Sequence, residues 1–133
     1  MRVSRSGAAA VEFALVAPLL CVLMGGVVSY GGYLLTAHTI QQLANDAARA
    51  AIAGLTDAER RDAAEESIAQ ERETLGRFLR AERLDVSAAR DGAVFTVRVS
   101  YDARDNVFWS LGQLAPMPDP VVRRAASIRI GGY

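Results

Sequence analysis

The sequence predicts an α+β protein: a long N-terminal transmembrane helix, a second amphipathic helix and a small antiparallel sheet of about three strands. Three observations predict it. Residues 13–35 form an uncharged, mostly apolar run of 23 residues. The stretch that follows keeps apolar residues three and four apart, the period of a helix with one buried face. In the last third, apolar and polar residues alternate, as they do in a half-buried strand.

As a helix the apolar run reaches about 34 Å, and a hydrocarbon core is about 30 Å thick, so one membrane crossing is expected. Arg2 and Arg5 precede it, and the next formal charge after Glu12 is Asp46. This bias places the N terminus on the cytoplasmic side and everything from about His38 onward outside. Pro18 removes a backbone donor inside the span and should kink or loosen it. The Gly25-Gly26 and Gly31-Gly32 pairs are either further soft points or close-packing positions between helices.

Past the span, Ile40, Leu43, Ala47, Ala51 and Leu55 fall on one stripe, with Gln41, Gln42, Asn45, Asp46 and Arg49 away from it. The helix is expected to continue to about Ala53, with Gly54 as its stop. Thr56-Asp57-Ala58-Glu59 has capping-box spacing and opens a second helix to about Arg80, with Ala64, Ile68, Leu75, Phe78 and Leu79 as its apolar stripe. Its charged face reads as solvated surface.

Phe95, Val97, Val99 and Tyr101 alternate with Val94, Thr96, Arg98 and Ser100, which marks a strand. Asp91-Gly92 is a turn pair, making residues 84–88 its hairpin partner. A third strand is expected at residues 121–130, after a proline-rich segment at 116–120 that cannot sit inside a sheet. The short apolar segment from Val107 to Leu111 reads as core in preference to an exposed contact patch.

Composition narrows the function. Fifteen basic residues, all arginine, balance fifteen acidic ones, so no net charge draws the chain to nucleic acid. Cys21, the single cysteine, has no intramolecular partner and reads as a small buried hydrophobe within the apolar run. His38 is the single histidine and there is no CxxC, so no metal site and no cofactor is expected. A Ser-His-Asp or Cys-His nucleophile system lacks its parts in the outer region, and catalytic residues are expected to be none.

The start of the span is the informative motif. A carboxylate entering a bilayer costs about 2.5 to 3.5 kcal/mol at the centre and less near the end, so Glu12 calls for an explanation beyond marking the boundary. It follows Arg2, Arg5, Ser6-Gly7 and Ala8-Ala9-Ala10-Val11, and an unbroken apolar run follows it. A secretory signal peptide carries its apolar region before the cleavage site, whereas here that region lies after Gly7 and would be retained. The arrangement resembles a class III-type prepilin signal, in which a short basic leader ends in glycine and glutamate is the fifth residue beyond the cut.

RSGAAAVEFALVAPLL, with QQLANDAARAA further on, is similar to the TadE-like family, pseudopilins of the tight-adherence (Flp-type, type IVb-like) pilus. The resemblance covers roughly residues 5–51. It implies cleavage between Gly7 and Ala8 by a membrane aspartyl prepilin peptidase, and subunit assembly through Glu12, Phe13 and Pro18. It further implies other pilins or pseudopilins and pilus assembly proteins as partners. The location implied is the bacterial inner membrane, single-pass, with passage into the extracellular pilus open. The chain's length favours a minor over a major subunit. The expected organisation is a leader at 1–7, a transmembrane and extended helical region at 8–54 and an outer α+β domain at 55–133. The competing reading is an unprocessed single-span signal-anchor protein whose outer domain binds an envelope partner.

Overall fold

The computed structural model describes residues 5–76, 79–113 and 116–131. Helix α1 spans Arg5–Ala50, 46 residues or about 69 Å, roughly twice what a bilayer core needs. Pro18 lies within it, and the helix runs on through both sides of that position. A 3-10 turn at Ala51–Ala53 ends it, in agreement with the periodicity. Gly54 follows with extended backbone (φ −73°), so a left-handed cap is not what requires glycine here. The requirement is space: a Cβ at Gly54 would lie 2.6 Å from the Arg60 backbone nitrogen.

Helix α2, Asp57–Leu75, starts as expected. Thr56 Oγ1 accepts from the Glu59 amide at 3.2 Å, and the Glu59 carboxylate accepts from the amides of Thr56 (3.2 Å) and Leu55 (2.7 Å). The helix ends earlier than its period suggests, at Leu75 instead of about Arg80, because Gly76 is a poor helix former. Phe78, expected on its stripe, lies outside the described residues. Ala64, Ile68 and Leu79 are buried, and the Leu79 amide donates to the Leu75 carbonyl at 2.9 Å. The apolar stripe therefore outlasts the regular helix.

Strands β1 (Leu84–Asp91), β2 (Val94–Asp102) and β3 (Val121–Arg129) form an antiparallel sheet in the order β1-β2-β3. Asp91 is the last paired residue, opposite Val94, so the two-residue turn is Gly92-Ala93, one position later than the Asp91-Gly92 pair suggested. Gly92 has φ +57°, the positive value a tight hairpin turn needs at its first central position. Phe95, Val97, Val99 and Tyr101 of β2 point into the core, each at 3% exposure or less, as their alternation predicts. Phe95 pairs with Ile128, Val97 with Ala126 and Tyr101 with Val122. On the opposite face, Thr96 and Ser127 share a 2.8 Å hydroxyl bond.

Both long helices pack against the sheet, and the C-terminal half of α1 completes the core. Ala37, Ile40, Leu43, Ala44, Ala47, Ala48 and, in the 3-10 turn, Ala51 join Ala64, Ile68, Leu84 and the β2 side chains in one cluster. Leu55 does not belong to the stripe assigned to it: it is 86% exposed, because the 3-10 turn and Gly54 end the helical register before it. Cys21 also differs from its expected burial, lying exposed on the surface of α1.

Candidate functional site

α1 divides into a bare half and a covered half. From Gly7 through Val16 every residue is exposed, and exposure continues along most of the helix to Val28. Gly7 and Ala8 lie close to the start of α1, within two turns of its first residue, Arg5. Ala8 and Glu12 are one turn apart on the same face, about 6 Å along the axis. Phe13, 72% exposed, is next to Glu12 around the helix, and Pro18 is about 9 Å along the axis from Glu12. These five residues share one half of one helix, and among the described residues nothing beyond α1 covers Glu12 or Phe13.

The head begins where Ser29 becomes fully buried. One turn on, Gly32 meets helix α3 (Val107–Ser110), and a Cβ at Gly32 would collide with the Phe108 ring. Tyr33 meets Trp109 edge to face, with ring centroids 5.8 Å apart. Tyr30 donates its hydroxyl hydrogen to the Pro116 carbonyl at 2.5 Å, and Trp109 Nε1 donates to the Pro118 carbonyl at 3.4 Å. Asn106 caps α3 by accepting from the Phe108 amide. Phe108, Trp109 and Leu111 are half-buried while Val107 is 70% exposed, so this segment is partly core and partly open surface. The collar of Tyr30, Gly32, Tyr33, Phe108 and Trp109 was missed in the sequence. Two tyrosines three apart at the end of an apolar run, with a distant Phe-Trp pair, were its available signal.

Charge gathers beside the start of α3. Arg83 pairs with Asp105 and, at 3.6 Å, with Asp102, which Arg104 also approaches at 3.5 Å. These are partly exposed pairs and contribute little to stability. The Glu59 carboxyl is held below the usual range by the Leu55 and Thr56 amides that donate to it. Among the described residues, no group of three His, Cys, Asp or Glu side chains is placed to hold a metal ion.

Among the described residues one helix is long and apolar enough to cross a membrane; its most apolar stretch has no buried residue and a small α+β head sits at its far end, the arrangement of a single-pass membrane protein. Residues 7–49 match the family model described as TadE-like protein. That is 43 of 133 residues, about a third of the chain, and the matched stretch is almost coextensive with α1. Over that third the chain is similar to the TadE-like family. No curated protein and no solved structure matches the chain.

Proposed function

We propose that the chain is a minor pilin-like subunit for assembly of a tight-adherence pilus, cut after Gly7 by a prepilin peptidase and packed against other subunits through the bare half of α1. The observation that carries this reading is the juxtaposition of Gly7, Ala8 and Glu12 ahead of an apolar helix surface that the head leaves uncovered. A protease needs an extended segment. The first four amides of a helix have no intrahelical acceptor, so unwinding α1 around Gly7 costs little. Small residues on both sides of the bond let the chain enter a narrow cleft.

Cleavage removes Arg2 and Arg5 and creates a new amine at Ala8. Among packed helices, that amine and the Glu12 carboxylate of a neighbouring subunit pair, which offsets the cost of holding either charge in apolar surroundings. Phe13 and the large residues beyond it supply the packing surface, and Pro18 frees a carbonyl one turn earlier for local adjustment. In the bacterial inner membrane the N terminus is then cytoplasmic and the head outside. The leader is residues 1–7, the helix 8–54 and the outer domain 55–133.

N-terminal sequencing of the membrane-extracted protein tests the reading: it should begin at Ala8. A chain starting at Met1 would favour the unprocessed signal anchor. Gly7→Leu should block both cleavage and pilus production. Glu12→Gln should leave cleavage intact and reduce recovery of partner subunits; unchanged association would refute the pairing.

A further inference from the structure

The head meets α1 lower than the apolar run allows a head standing clear of the membrane. The run spans residues 13–35, but Ser29 is already buried and Phe108 already packs on Gly32. A hydrocarbon core of about 30 Å takes about 20 residues of helix, so a core that begins just past Glu12 at Phe13 ends near Gly32. A tilt of about 20° moves that boundary by only about one residue. If the membrane stopped short of Ser29, Glu12 would be drawn roughly 4 to 5 Å into hydrocarbon. Leu34 and Leu35, on the uncovered side of the same turn, would then stand 63% and 57% exposed in water.

We infer that α3 and the segment 116–118 form an aromatic foot, seated in the interfacial layer of the leaflet that adjoins the head. Its composition suits that layer. Tyr30, Tyr33 and Trp109 each carry an apolar ring and a polar atom, the type of side chain enriched where hydrocarbon meets headgroups. The foot's own carbonyls at Pro116 and Pro118 are taken by Tyr30 and Trp109, so two backbone acceptors enter the layer satisfied. Val107, at the start of α3, is 70% exposed. The Arg83, Arg104, Asp102 and Asp105 cluster adjoins the start of α3 and supplies charged groups suited to the headgroup side of that layer. A membrane surface that reaches just past Gly32, where Phe108 packs, covers the exposed Leu34 and Leu35 together with Val107, the neighbour of Phe108. The inference needs the membrane crossing but not cleavage at Gly7 or a place in a filament.

Trp109 is the single tryptophan, which makes the test direct. The full chain is reconstituted in lipid nanodiscs containing lipids brominated at different depths, and its fluorescence is read with acrylamide as the aqueous quencher. Bromine near the headgroup end of the acyl chain should quench Trp109 at least about twofold, and bromine near the methyl end less. As a control, Leu55→Trp with Trp109→Phe puts the probe at the far end of α1; it should ignore bromine and yield to acrylamide. Trp109 untouched by bromine and open to acrylamide would overturn the foot. So would protection that appears only when several copies share a disc, which would place a second copy of the chain on this surface instead of lipid. The result is read on cut and uncut protein alike, so failure of the foot and failure of the pilin reading are separable.

Discussion

The two halves of α1 are both apolar, yet they are built from different residues. The bare half presents Phe13, Leu15, Leu19, Leu23 and Val27, each more than half exposed. The covered half meets the head chiefly through Ala37, Ala44, Ala47 and Ala48, with Ile40 and Leu43 as its larger members. Large side chains suit a surface that faces lipid or neighbouring helices. Alanines let the helix lie close on a sheet whose own Phe95, Val97 and Val99 fill the space between. Hydropathy alone does not separate these cases. Side-chain size along the helix does.

The largest test of this division removes one half at a time. A chain starting at Ser29 keeps every core residue of α1 and should retain a cooperative unfolding transition. A chain starting at Asp57 loses Ile40, Leu43 and the alanines, and should show no sharp melt by circular dichroism. A high-temperature cooperative melt of the shorter chain would break the division. At single residues, Ile40→Ala should destabilise the head by about 2 to 5 kcal/mol in denaturant titrations, since Ile40 is fully buried. Leu20→Ala, on the bare half, should leave the head's transition where it was.

Adjacent glycines sharpen the boundary further. Gly32→Ala should displace Phe108 and cost about 1 to 3 kcal/mol, read also as a shift in Trp109 emission. A Cβ at Gly31 meets nothing, so Gly31→Ala should leave both readings unchanged. A smaller effect is expected at the start of α2, where Thr56→Ala should cost about 1 kcal/mol. The smallest is a pH effect. Glu59 has a folded pKa below its unfolded one, so its contribution is complete above the unfolded value and is lost as pH falls through the folded one. Glu59→Gln should flatten that acid-side slope.

Most of the architecture was legible because each element carries its own period or punctuation. The apolar run, the Thr56 capping box, the alternation through β2 and the proline-rich approach to β3 each mark a local structure that the fold keeps. What escaped depended on contacts distant in sequence. Leu55 fits the stripe of a continuing helix, and only the 3-10 turn and the extended Gly54 beside Arg60 show that the register ends before it. Val107 to Leu111 gave no sign of which side would pack, because its partner surface lies some 75 residues earlier on α1. Within the candidate site, Gly7, Ala8 and Glu12 were visible as a motif, whereas the collar at Gly32 became visible only through Phe108.

The packing of β3 on α1 bears on the order of events during synthesis. The earliest helix in the sequence lies against the latest strand, and Gln41 Nε2 donates to the Ala125 carbonyl at 3.2 Å across that contact. The core cannot close until β3 has emerged, by which time α1 has long been available for insertion. Until then the part of α1 that meets β3 and the β3 edge of β2 have no cover. A chain interrupted before residue 121 would leave an inserted helix with an unfinished head, a form recognisable to quality-control proteases before it could enter any assembly.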